Sequence, residues 1–126
     1  MTERPITDVE LRVGFDGAII FGPIQAALLE AILLTGSISA AQRQLGFGYV
    51  YTWKLVAAMN NQFCPPLVDI SRGGRKGGGA SVSKQGHQVL IAFRRMERAL
   101  LAAARAELSV INDAARFAAP DLGART

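Results

Sequence analysis

Three glycines, Gly36, Gly46 and Gly48, divide the stretch GSISAAQRQLGFGYVYTWKLVAAMNNQF into two helical pieces that must turn sharply against each other. Glycine takes the left-handed backbone that ends a helix at no steric cost, so each one marks a boundary. Ser39-Ala40-Ala41-Gln42 fits a capping box, in which the serine hydroxyl takes a first-turn amide and Gln42 reaches back. The first piece is therefore predicted from Ser39 to about Leu45, with Ala40, Ala41 and Leu45 small or apolar enough for close packing. Phe47, in the GFG turn, is expected to point into the core. The second piece runs from about Gly48 to Gln62, and its inward positions should be Thr52, Leu55 or Val56, Met59 and Phe63. Tyr49, Val50, Trp53, Lys54 and Ala57 are then left nearer the outer face. Two short helices joined by a glycine-containing turn make a helix-turn-helix, although any compact three-helix core would give the same pattern.

On the N-terminal side of this pair the hydrophobic period changes. Val9, Leu11, Val13 and Phe15 alternate with Glu10, Arg12 and Gly14, which predicts a half-buried strand. Asp16-Gly17 is a hairpin turn, and Ala18 to Phe21 can return as a second strand. Gly22-Pro23 stops it, and proline suits the first position of a helix. Ile24, Leu28, Ala31, Ile32 and Thr35 then recur at three and four, broadened by Ala27, Leu29, Leu33 and Leu34. That predicts a helix buried over most of its circumference and closed by Gly36.

The C-terminal side is less ordinary. Arg72 to Ser81 reads RGGRKGGGAS, five glycines and three cations in ten positions with no acid. Leu67, Val68 and Ile70 on one side and Ala80 and Val82 on the other can pair as antiparallel strands, making this stretch the loop of a hairpin. A hairpin directly after a helix-turn-helix is a winged arrangement, with Arg72, Arg75 and Lys76 near its tip. Glycine lets such a backbone approach a phosphate closely and leaves the cations free to reach it. The nucleotide-cradling alternative needs G-x-x-x-x-G-K-[ST] between strand and helix, and here Lys76 precedes the last three glycines. The chain has one histidine and one cysteine, too few thiols for a zinc cluster and with no pattern of a Ser/His/Asp set or Cys/His pair around them, so no enzyme activity or cofactor is expected. His87 reads as a helix-surface residue and Cys64 as a small packing residue beside Pro65 and Pro66.

From Ser83, a good N-cap, a long helix is predicted to about Ala118, before Pro120. Val89, Phe93, Met96, Leu100, Ala104, Leu108 and Ile111 recur along it at steps of three and four. Such a helix is too long for a small domain to cover, and pairing with the same helix of a second chain would bury the stripe. The expected organisation is a winged helix-turn-helix unit over 1–83, a linker and dimerisation helix over 84–119 and a disordered tail over 120–126.

Charge is unevenly placed. Between Gly36 and Gly86 lie Arg43, Lys54, Arg72, Arg75, Lys76 and Lys84 against Asp69 alone, while the rest of the chain holds eight cations and nine acids. An excess confined to one segment favours an anionic partner. The polar opening MTERPITDVE lacks the basic start of a secretory leader. The apolar run Ile24 to Leu34 is broken by Gln25 and Glu30, short of a membrane span of ~20 residues, so a cytoplasmic chain without membrane contact is expected.

These segments together resemble the DNA-binding domain of the molybdate-responsive (ModE-type) transcription regulators, and more distantly LysR-type regulators. The resemblance covers about residues 9 to 105 and is carried by the DG hairpin, FGP with LLEAI, GSISAAQRQLGFGYVYTWKLVAAMN, PLV and above all GGRKGGGASVSKQG. It implies a mainly α fold with small β hairpins. In it a winged helix-turn-helix homodimer inserts its third helix into the major groove of double-stranded DNA, and the regulator is linked to molybdenum metabolism. Carried over by position, Gly48, Tyr49, Val50, Trp53 and Lys54 read the groove, and Ser37, Ser39 and Gln42 are positioning or phosphate contacts. Arg72, Arg75, Lys76 and Lys84 grip the backbone electrostatically, and the long helix supplies the dimer contacts. The chain departs from the family in its aromatic GYVYTW, where Tyr49 and Tyr51 could make thymine-methyl or phosphate contacts instead of bidentate hydrogen bonds. The family's molybdate-binding domains would lie beyond the linker helix and are absent up to Thr126, so no molybdate binding is expected on this chain alone. Two other readings of the residues remain: a helix-turn-helix used as a protein-interaction module, and a small-oxyanion binder using the glycine loop as an amide nest.

Overall fold

The structure, a computed structural model, describes residues 8–72 and 78–115, with backbone only at Arg72 and Gly78. It is mainly helical with two small antiparallel hairpins, in the order β1 (Val13–Phe15), β2 (Ala18–Phe21), α1 (Pro23–Thr35), α2 (Ile38–Leu45), α3 (Tyr49–Gln62), β3 (Val68–Arg72), β4 (Gly78–Val82) and α4 (Lys84–Ala114). The helix-turn-helix of α2 and α3 leads directly into the β3–β4 hairpin, which is the winged arrangement expected. The expected linker beyond Ala115 and the tail over 120–126 lie outside the described residues.

Local chemistry sets the boundaries. Asp16 and Gly17 both have positive φ, 55° and 83°, and close the β1–β2 hairpin as a two-residue turn. The first strand is shorter than the alternation suggested, although Val9, Leu11 and Val13 are still half-buried while their neighbours are exposed. Pro23 opens α1, the Gly22 N–H donates to Gln25 Oε1 at 2.9 Å, and Gly36 ends the helix at φ 75°. At α2 the sequence expectation needs correction. The N-cap is Ser37, whose hydroxyl accepts from the Ala40 N–H at 3.0 Å, and Ser39 stands exposed in the first turn. Ser37 and Ser39 offer the same hydroxyl two residues apart, and Ser37 is the one that directly follows the left-handed Gly36.

The core is built around α1, whose Ala26, Leu28, Leu29, Ala31 and Ile32 are buried. It is less enclosed than its composition implies: Ile24, Leu33 and Leu34 remain exposed. From α3 the core receives Thr52, Val56 and Met59, the inward positions predicted, with Leu55 and Phe63 packed partly against it. Thr52 is fully buried because its hydroxyl donates back to Gly48 O at 2.8 Å. Phe21 is edge-on to both Phe63 and Phe93, with ring centroids 6.3 Å and 5.2 Å away.

Only the first part of α4 belongs to this core. Ser83 caps it, accepting from the Gly86 N–H at 3.0 Å and donating its own hydroxyl to Pro66 O at 2.7 Å. Gly86, Leu90 and Phe93 are its buried residues, and no residue of α4 beyond Phe93 is buried. The apolar stripe therefore has two destinations. Phe93, 1% exposed, packs inside its own domain and not against a second chain, and Val89 packs partly against the same core. Periodicity alone does not distinguish a chain's own core from a partner's. Met96 and Ile111 are exposed, and Leu100, Ala104 and Leu108 are half-covered. Arg94 fastens α4 to α1 through a two-pronged pair with Glu30 (Nε to Oε2 2.9 Å, Nη2 to Oε1 2.7 Å) and also reaches Glu97 at 2.7 Å.

Candidate nucleic-acid interface

The exposed face of α3 is the centre of the candidate site. Gly48 is its N-cap, in extended backbone, so Tyr49, Val50 and Tyr51 start the helix on the protein's surface. Tyr49 is 60% and Val50 62% exposed, and Lys54 and Ala57 are also exposed. Aromatic contacts hold the two tyrosines in place. Tyr49 lies tilted against Trp53 at 6.3 Å, and Tyr51 meets Phe47 edge-on at 5.5 Å.

Two expectations for this helix are corrected. Trp53 does not stand on the outer face: it is half-buried and packed against the core, with its Nε1 buried. One position from the inward Thr52, its large ring folds back over the core edge and not into solvent. Phe47, expected in the core, is half-buried and lies against Tyr51. Of the positioning residues on α2, Ser39 is exposed, while Ser37 and Gln42 are half-buried and the Ser37 hydroxyl is engaged in the cap.

Each wing strand is tied to the neighbouring helices, β3 at its root and β4 at its middle. Asn60, near the end of α3, takes the Leu67 and Val68 N–H groups on Oδ1 at 3.1 and 3.0 Å and donates from Nδ2 to Val68 O at 3.0 Å. The Ala80 N–H donates to Gly36 O at 3.0 Å, which joins β4 to the junction of α1 and α2. β3 and β4 pair from Val68↔Val82 to Arg72↔Gly78, so Arg72 is the last residue of its strand and not, as the sequence suggested, part of the loop: the strand pairing runs on into the glycine stretch. Arg75 and Lys76, the expected tip cations, lie outside the described residues. Lys84 is exposed at the first position of α4, and Arg43 is exposed in α2. His87 is exposed as expected, but so is Cys64, which is therefore not a packing residue.

Two residues that position the wing, Asn60 and Gly86, carry no signal in the sequence that sets them apart. A Cβ on Gly86 would lie 2.3 Å from Leu67 O and 2.7 Å from a Val82 methyl, so only glycine lets α4 cross the wing strands this closely. Among the described residues no group of three or more His, Cys, Asp or Glu could hold a metal ion, and no helix is long and apolar enough to cross a membrane.

No family model matches the chain. It is 38% identical over 100 residues to the molybdenum-pterin-binding protein MopA of Rhodobacter capsulatus, covering 79% of this chain and 37% of that protein. The chain belongs to the family of ModE-type and Mop proteins. Over 70 residues it is 37% identical to the molybdenum transport protein ModE of Azotobacter vinelandii, covering 56% of this chain and 26% of the relative. Over 68 residues it is 34% identical to the DNA-binding transcriptional dual regulator ModE of Escherichia coli, covering 54% of this chain and 26% of the relative. The chain thus spans about a quarter to somewhat over a third of the length of these relatives.

Proposed function

We propose that this chain is a sequence-specific double-stranded-DNA-binding transcriptional regulator, acting as a homodimer in molybdenum metabolism, with no catalytic activity of its own. The observation that carries this reading is the conjunction of a winged helix-turn-helix whose α3 face is exposed with a likeness to a relative named as a DNA-binding regulator. In this reading α3 enters the major groove with Gly48, Tyr49, Val50 and Lys54, and Trp53 supports Tyr49 from behind. Ser37, Ser39 and Gln42 position α2, and Arg72, Arg75, Lys76 and Lys84 neutralise phosphates. Met96, Leu100, Ala104, Leu108 and Ile111 pair with the same residues of a second chain. The part of MopA that this chain matches is 37% of that protein, so the binding in MopA's name is not carried over, and no molybdate binding is assigned to this chain.

A salt titration on duplexes selected from a random pool tests the reading. Each neutralised phosphate contributes a slope of about −0.9 to log K against log salt, so four cations from each protomer, about eight in the dimer, lower affinity roughly ten-thousandfold between about 50 and 200 mM. Selected half-sites should lie about one helical turn apart. No enriched sequence, or an affinity indifferent to salt, would remove DNA binding as the function.

A further inference from the structure

The groove-reading helix presents a chemically narrow surface. Of its polar side chains from Tyr49 to Ala58, two are withdrawn: the Thr52 hydroxyl is buried and donates to Gly48 O, and Trp53 Nε1 is buried. Lys54 is the one charged group over that span, and the tyrosine hydroxyls are the other polar tips. The span contains no Arg, Asn, Gln, Asp or Glu. The two-pronged pairing of an amide with adenine and the carboxylate contact to cytosine are therefore unavailable there, and Lys54 is the one side chain of the span that can reach guanine O6 and N7. At the exposed start of the helix the rings of Tyr49 and Tyr51 are engaged with Trp53 and Phe47, and Val50 between them is the branched hydrocarbon. Val50, 62% exposed, shares a face with Lys54 and Ala57 at steps of four and three. Among base-pair edges in the major groove, the thymine C5-methyl is the apolar feature such a side chain can match.

We propose that Val50 is a specificity-determining residue that reads the C5-methyl group of one thymine in each half-site. The proposal rests on the DNA-binding reading above and deepens it. Val50 is 62% exposed and stands outside the core cluster, so its truncation should leave the fold intact and alter the surface offered to a base. Burying one methyl-sized group contributes ~0.8 kcal/mol, which corresponds to about a fourfold change in affinity per half-site.

The experiment uses the full chain and a duplex enriched from a random pool, with each thymine replaced in turn by deoxyuridine. That replacement removes the methyl and preserves base pairing. One position per half-site should weaken wild-type binding about fourfold, and the same replacement should cost Val50→Ala less than twofold. Two results overturn the proposal while leaving DNA binding intact: wild-type affinity unchanged by deoxyuridine at every position, or an equal penalty in wild type and Val50→Ala. Failure of the wild-type chain to bind any selected duplex overturns the underlying reading and the proposal with it.

Discussion

Replacing Gly86 by alanine sets two effects of opposite sign against each other. Gly86 lies in the first turn of a 31-residue helix, and helix propensity alone favours alanine by up to ~1 kcal/mol. Packing opposes it. The new Cβ would stand 2.3 Å from Leu67 O, 3.2 Å from Leu67 C and 2.7 Å from Val82 Cγ1. The first two are backbone atoms of a residue that is itself fully buried and whose carbonyl accepts from the Ser83 N–H at 2.9 Å. They cannot rotate aside as a side chain would, so α4 must lift away from the wing strands by about an ångström. Overpacking of this kind costs ~1–3 kcal/mol or more, and the lift also strains the Ser83 cap, a contact of ~1 kcal/mol. Packing wins, and the variant should be less stable by about 2 kcal/mol. Urea denaturation monitored by circular dichroism reads this as a lower midpoint at unchanged slope. A variant as stable as the parent, or more so, would mean that α4 does not cross the strands this closely.

The same geometry gives two further outcomes. Asn60→Ala removes three hydrogen bonds and strands two amides and a carbonyl at the start of β3, at ~1–3 kcal/mol for each group left unpaired. A stability loss of about 3 kcal/mol is expected in the same assay, and Asn60→Asp, which keeps the acceptor and loses the donor to Val68 O, should not restore the parent's stability. The Arg94 hydrogen bond holds the Glu30 carboxyl below its ordinary pKa, against a smaller opposing contribution from burial. A depressed folded pKa gives stability that is present above the unfolded value and lost as pH falls through the folded one. Since the pair is largely solvated it should contribute less than ~1 kcal/mol, so Glu30→Gln should trail the parent slightly at neutral pH and converge with it in acid.

Most of the architecture was legible because its signals are local. Asp16-Gly17, Pro23, Gly36 and Gly46 each specify a turn or a helix end through their own backbone preferences. The inward face of α3 comes from the spacing of Thr52, Val56 and Met59. At the candidate site, the exposure of Tyr49, Val50 and Lys54 is set by that same period. The features that could not be read depend on neighbours distant in sequence. Asn60 looks like any polar residue near a helix end until β3 lies beside it, and Gly86 looks like a poor helix former until Leu67 O is in place. Phe93 was one of a row of equivalent apolar positions, and only its contact with Phe21 separates it from Met96. Trp53 lies on the boundary between two faces, where a bulky ring goes to whichever side gives it cover.

Because no residue of α4 beyond Phe93 is buried, its remaining 21 residues to Ala114 extend about 31 Å past that seat as a lever. A tilt of roughly 10° at that seat swings the far end by about 5 Å, close to one helical turn. The fulcrum is the Arg94–Glu30 clasp beside the aromatic contact of Phe93. By this geometry a sub-ångström rearrangement there would be magnified several-fold at the tip, and a displacement of the tip would return to the same point as torque.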